Sequence, residues 1–144
     1  ADTYRSGWLS LGPRTQEFET AFADFVGAEH ALATSSCTAA LHLMCLGIGL
    51  GPGDEVVVPS MTFVATVNSV TYTGARPVFA DIESLEEPWM SARTIEAAIT
   101  PRTKAIMYMA YGGHPARSEE VRALAEDRGL MLLEDAAQAT FRCL

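Results

Sequence analysis

Basic residues are scarce in this 144-residue chain, and Lys104 is its single lysine. Ten Lys and Arg stand against 18 Asp and Glu, a net charge of −8. Nucleic acid and anionic membrane surfaces need a basic face, so neither is expected as a partner. A local phosphate site stays open, because backbone N–H groups can supply it. Cysteine is also sparse: Cys37, Cys45 and Cys143 match no metal-ligand spacing, and their number is odd. The longest apolar run, residues 39–50, contains His42 and Gly47 and is too short to span a bilayer. No N-terminal signal segment is visible, and a reduced, cytoplasmic setting is expected. Internal repeats and low-complexity tracts are absent from the sequence. The glycines of residues 47–54 do not spell G-x-G-x-x-G, and they follow a helical pattern rather than a strand. They read as a turn, with Asp54 at the entrance of a strand.

What is present is a globular composition, 49% hydrophobic and 19% charged, and a regular alternation of strand and helix patterns. Residues 1–13 lack periodicity and read as an extended lead-in, with Trp8 placed in the core. Residues 14–26 form an amphipathic helix in which Phe18, Phe22 and Phe25 make one buried stripe, ended by Gly27. Strands are predicted at 30–34, 55–59, 77–81, 104–110 and 130–133. Helices are predicted at 38–46, from Ser60 to about Tyr72, at 91–99 and at 118–128. The continuous Val56-Val57-Val58 run suits a strand buried on both faces, as in a parallel sheet. The alternation predicts a three-layer α/β/α fold with a mostly parallel sheet.

Ligands in such sheets sit at the C-terminal strand ends. Four features fall there: the Ser36–Thr38 turn, the Ser60–Phe63 turn, the Tyr111–His114 loop and Glu134-Asp135. The first reads either as a plain helix cap by Ser35 or Ser36, or as an anion seat built from free amides and the Ser36 and Thr38 hydroxyls. Asp135 closes an apolar strand, where a carboxylate is costly without a partner. A helix cap, a metal, an arginine or a protonated ring nitrogen would each serve. Glu134 points to the opposite face and is poorly placed to join it. Gln138 shares the side of Asp135 if a helical turn begins there. Trp8, Tyr111 and His114 are further candidates for lining a substrate pocket. A phosphate seat, an aromatic at Phe63 and a buried Asp with a nearby Gln together describe a seat for pyridoxal 5'-phosphate (PLP), whose protonated ring is the electron sink of amino-group transfer.

The chain resembles the N-terminal part of the DegT/DnrJ/StrS sugar aminotransferases, a branch of the fold-type I PLP enzymes. The resemblance runs in order through Gly12-Pro13, Phe18-Glu19, residues 27–30, Ser36-Cys37-Thr38-Ala39-Ala40-Leu41, Gly51-Pro52-Gly53-Asp54-Glu55-Val56, residues 59–66, Gly74-Ala75-Arg76-Pro77-Val78-Phe79, residues 99–106 and Glu134-Asp135-Ala136-Ala137-Gln138-Ala139. It implies that Cys37 and Thr38 hold the cofactor phosphate, Phe63 stacks on the ring, Asp135 pairs with the ring nitrogen and Gln138 lies by the phenolic oxygen. Many members carry glycine at the position of Cys37. The implied activity is transfer of an amino group from glutamate or glutamine to a nucleotide-linked keto-sugar, in a homodimer.

The resemblance further implies that residues 1–144 make a single partial large domain, without the smaller C-terminal domain. The family's Schiff-base lysine lies beyond the Glu-Asp-Ala-Ala-Gln motif and is not reached. Lys104 begins a strand, at the wrong end for the site. The isolated chain is therefore expected to be inactive, and Thr140-Phe141-Arg142-Cys143-Leu144 departs from the family's small residues. The competing readings are a noncatalytic binding or dimerisation module and a related sugar dehydratase; a nucleotide-binding Rossmann domain lacks its glycine fingerprint.

Overall fold

The computed structural model describes residues 1–139, so the departing ending, residues 140–144, lies outside the described residues. Contacts divide the chain into two compact units, Ala1–Ser35 and a larger one that begins at Ser36.

In the N-terminal unit, α1 (Asp2–Arg5) is a single turn inside the lead-in that reads as extended. Local contacts hold it: the Ser6 hydroxyl donates to Thr3 O at 2.7 Å, and Arg5 reaches Asp2 at 3.4 Å. Helix α2 (Pro13–Val26) starts on proline, whose fixed φ suits the first helical position, and ends at Gly27 in the left-handed region, φ 74°. The stripe Phe18, Phe22 and Phe25 is not buried; the three are 56%, 43% and 59% exposed. A lone helix has no second layer in its own unit to cover that face. The Phe18 and Phe22 rings stack on each other at 5.7 Å instead. Trp8 is likewise exposed rather than core, and lies over Gly12, where a Cβ would come within 3.1 Å of the Trp8 Cβ. Residues 30–34 are not a strand. A strand exists by its ladder, and here the Ala33 N–H donates to the Glu19 carboxylate at 2.8 Å instead.

The larger unit opens with α3 (Cys37–Gly47) and continues β1 (Glu55–Pro59), α4 (Val64–Thr71), β2 (Arg76–Ala80), α5 (Ala92–Glu96), β3 (Thr103–Met109), α6 (Ser118–Arg128) and β4 (Met131–Asp135). The sheet order is β2-β1-β3-β4 and every pairing is parallel. Val57 stands opposite Val78 on one side and Ile106 on the other. From β1 the chain crosses outward to β2; from β3 it crosses in the opposite direction to β4. Right-handed crossovers then put α4 and α6 on opposite faces. Val56, Val58, Ala105, Met107 and Leu133 form one core with Leu41, Cys45 and Val70 of α3 and α4. Val57 and Ile106 alternate to the other face and are equally sealed. This is the mixed α/β architecture with a parallel sheet that the alternation predicts.

Two helix boundaries move. Helix α4 starts at Val64 rather than Ser60, because the Ser60 N–H still donates to Ala80 O at 2.9 Å and prolongs the ladder. Helix α5 is cut to five residues, opened by a capping box in which Ser91 and Thr94 bond each other's amides. The glycine run 47–54 is a turn, closed by the Gly51 amide donating to the Asp54 carboxylate at 2.9 Å.

The N-terminal edge of the sheet is tied by one carboxylate. Glu55, the first residue of β1, is 1% exposed. It accepts from the Thr100 hydroxyl at 2.5 Å and from the Arg102 guanidinium at 2.5 and 3.1 Å, and lies 3.9 Å from Arg76, the first residue of β2. Three strand beginnings thus converge on one group. Lys104 belongs to this edge as well: its ammonium donates to Gly49 O at 2.8 Å and lies 3.4 Å from Asp54.

The Thr100 hydroxyl first, then Arg102, hold the Glu55 carboxyl below its ordinary value. The unfolded chain therefore binds more protons than the folded one between the two pKa values, and stability rises with pH there. The contribution is complete above about pH 4.3, the ordinary glutamate value, and is lost as pH falls through the folded value. Glu55→Gln is expected to lower the thermal midpoint at neutral pH and to flatten this acid limb, as read by circular dichroism melts from pH 3 to 7.

Candidate active site

Between β1 and β3 the chain's outgoing connections diverge, which opens a crevice at the C-terminal strand ends. A cavity of about 240 Å³ lies there, lined among others by Cys37, Thr38, Phe63, Met109, Asp135 and Gln138. The five residues singled out from the sequence are therefore brought to one place. Tyr111 and His114 do not line it. His114 stacks on Trp89 with ring centres 5.0 Å apart. Trp8 belongs to the N-terminal unit and has a different cavity beside it, of about 280 Å³, walled by residues of the lead-in and α2. None of that cavity's walls carries a buried charged group, so the smaller cavity is the better candidate.

Asp135 ends β4 opposite Met109 and is 2% exposed. Its Oδ2 accepts from the Thr66 hydroxyl at 2.6 Å. Its Oδ1 accepts from the Ala137 amide at 3.2 Å and has the Cys37 thiol at 3.9 Å. All these donors are neutral. Among the described residues no arginine, lysine or histidine forms an ion pair with it. A buried carboxylate without a cation, facing a cavity, is a seat for a cationic or N–H group of a ligand.

The start of α3 supplies the second half. Ser36 caps it in an extended conformation, its Oγ accepting from the Ala39 amide at 3.2 Å, while Ala40 N–H returns to Ser36 O at 3.1 Å. The cap thus occupies the third amide of the helix. The amides of Cys37 and Thr38 are engaged by no other described residue, and stand at the positive end of the helix dipole. Cap and anion seat therefore coexist, on different amides. The Cys37 side chain turns to Asp135 rather than across the helix start.

Phe63 precedes α4 with φ −85° and ψ 148°, and this extended backbone leaves its ring 61% exposed. Gln138 is held by the loop after β3: the Gly112 amide donates to its Oε1 at 2.6 Å. The two segments touch there. Gly113 has φ +76°, and a Cβ on it would lie 2.7 Å from Gln138 O. With Oε1 engaged as acceptor, the Gln138 amide nitrogen remains as a donor.

Sequence reading missed Thr66 and Met109. Thr66 is fully buried yet polar, and its partner Asp135 lies 69 residues on, so no local pattern marked it. Met109 was legible only as a strand residue; its sulfur packs beside the Thr62 and Thr66 hydroxyls.

The profile of the DegT/DnrJ/EryC1/StrS aminotransferase family matches residues 1–141. The spore coat polysaccharide biosynthesis protein SpsC of Bacillus subtilis (strain 168) is 49% identical over 140 residues, 97% of this chain and 36% of that protein. The crystal structure of S. venezuelae DesV, in complex with a ketimine intermediate, superposes with a TM-score of 0.85 at 43% identity, over 90% of this chain and 34% of that one. A Streptococcus pneumoniae relative solved in its PLP-form gives a TM-score of 0.89 at 31% identity, over 96% of this chain and 39% of that one. The chain spans about a third of the length of these relatives.

Burial raises the Cys37 thiol above its ordinary value, and the Asp135 charge and its hydrogen bond raise it further. The thiolate is the reactive form, so alkylation at neutral pH is expected to be slow. Asp135→Asn keeps the burial and removes the charge. It should move the pH–rate profile of iodoacetamide labelling at Cys37, followed by peptide mass spectrometry, toward lower pH.

Proposed function

The chain belongs to the DegT/DnrJ/EryC1/StrS aminotransferase family, and from that membership we propose that it is the cofactor-binding part of a PLP-dependent aminotransferase of nucleotide-linked keto-sugars. The observation that carries the proposal is Asp135: a carboxylate 2% exposed, bonded among the described residues to neutral donors, at the wall of a cavity that also holds Phe63 and Gln138. The residues present fit the cofactor. Asp135 would accept a hydrogen bond from the protonated ring nitrogen, a cation that no described residue supplies. Phe63 would cover a ring face with its exposed side chain. Gln138, whose Oε1 is already taken by the Gly112 amide, would direct its remaining N–H donors at the phenolic oxygen. The Cys37 and Thr38 amides, with the Thr38 hydroxyl, would hold the phosphate at the start of α3. When bound, PLP supplies the electron sink for amino-group transfer.

On this reading residues 1–144 are part of the large domain of a homodimeric, cytoplasmic enzyme, with glutamate or glutamine as amino donor. Lys104 is not its Schiff-base lysine, because its ammonium is held at the opposite edge of the sheet by Gly49 O and Asp54. Cys37 contributes its backbone rather than its thiol to the phosphate.

A PLP titration of the chain, read by absorbance and followed by borohydride reduction and mass spectrometry, tests the proposal. Saturable binding is expected, with no trapping on Lys104 and with Cys37 protected from alkylation. Asp135→Ala should weaken binding by about tenfold or more, the worth of one charge-assisted hydrogen bond. Trapping on Lys104, or unchanged affinity in Asp135→Ala, would sink the assignment.

A further inference from the structure

The two oxygens of Asp135 have different neighbourhoods. Oδ1 stands beside the Ala137 amide and the Cys37 thiol, both from residues that line the cavity. Oδ2 stands 2.6 Å from the hydroxyl of Thr66, a residue of α4 that is 0% exposed and does not line the cavity. One oxygen therefore faces the ligand space, and the other faces the protein.

The hydrogen-bond directions follow from chemistry. An ionised carboxylate only accepts, so the single Thr66 hydroxyl hydrogen goes to Oδ2. The Thr66 oxygen is then free to accept, and the Thr62 hydroxyl donates to it from 2.8 Å. Thr62 also lies near the Met109 sulfur, but a thioether is a weak acceptor beside a hydroxyl oxygen. A threonine in the first turns of a helix commonly bonds back to its own backbone. Thr66 instead reaches from α4 to the end of β4, across 69 residues of sequence. Among the described residues, Cys37 is the titratable side chain that faces Asp135; α4 and β3 present hydroxyls and a thioether.

We infer that Thr66 is the positioning residue of this site: it anchors Oδ2 and so fixes the rotation at which Oδ1 is presented to the ring nitrogen, with Thr62 orienting the Thr66 hydroxyl. The inference rests on the cofactor reading above. Thr66 touches neither cofactor nor substrate; it acts through Asp135. Valine in its place keeps the shape and deletes the donor, leaving a buried carboxylate oxygen without its shortest hydrogen bond.

The test compares the unsubstituted chain with Thr66→Val, Thr66→Ser and Thr62→Val. PLP affinity is measured by titration, and the ring nitrogen of bound ¹⁵N-PLP by NMR, which distinguishes a protonated from an unprotonated pyridine. Thr66→Val is expected to weaken PLP binding about tenfold and to move the ring signal toward the unprotonated position. Thr66→Ser, which restores the hydroxyl, should recover both. Thr62→Val should shift the signal in the same direction by less. A purely structural role would lower the thermal midpoint without moving the ring signal, and would overturn the inference. So would Thr66→Ser behaving like Thr66→Val. If Thr66→Val does not fold, an unmoved ring signal in Thr62→Val overturns it. Absence of PLP binding by the unsubstituted chain overturns the cofactor reading and this inference together, whereas binding unchanged in Thr66→Val overturns only the latter.

Discussion

A carboxylate that is buried with no cation among the described residues is the constraint on which the C-terminal edge of this sheet is arranged. Asp135 ends a strand in which Leu133 belongs to the core, and it is itself only 2% exposed. Leaving its oxygens bare would cost more than most core substitutions. Three elements answer that cost with neutral donors: Thr66 from α4, the Ala137 amide and the Cys37 thiol from α3. None of them cancels the charge. The surrounding structure thus solvates Asp135 while leaving its charge available to a cationic ligand group, which is the electrostatic condition a cofactor nitrogen needs.

The opposite edge solves a similar problem differently. Glu55 is as buried as Asp135, but it is met by Arg102 and, farther off, Arg76, and its charge is consumed locally. The chain's single lysine is likewise committed there. A parallel sheet aligns all strand beginnings on one side and all strand ends on the other. Charge neutralisation that ties the strands together is therefore kept a full strand length away from the cavity-lining carboxylate. Both are buried carboxylates at strand ends, and what distinguishes them among the described residues is their partners: arginines for Glu55, neutral donors for Asp135.

Much of this was legible in the sequence, because the larger unit obeys simple periodicities. The Val56-Val57-Val58 run is a strand sealed on both faces, and β1 and α6 fall at their expected residues. One topological rule about strand ends pointed to the Ser36–Thr38 turn, Phe63 and Asp135, which line one cavity, and to the Tyr111–His114 loop, which does not; Cys37 and the role of Gln138 were what the family resemblance implied. What escaped has physical causes. The 30–34 segment has strand-like composition, but a strand needs a ladder, and Ala33 bonds a glutamate side chain instead. The phenylalanine stripe was read correctly as one face of a helix, yet periodicity says nothing of whether a layer covers it. Thr66 was invisible because a polar residue inside a short helix shows its value only when its partner, far along the chain, is in place.

That uncovered stripe has a consequence for the chain in solution. Phe18, Phe22 and Phe25 offer an adhesive strip of short range, while the net charge of −8 sets up a repulsion of long range between copies. At low ionic strength the repulsion acts first, and keeps copies apart before rings can meet. As salt shortens the screening length to about 8 Å at physiological strength, the repulsion recedes and the contact attraction remains. The colloidal behaviour of this protein should therefore run opposite to that of a polyelectrolyte binder: added salt, which loosens charge-driven complexes, brings its molecules together.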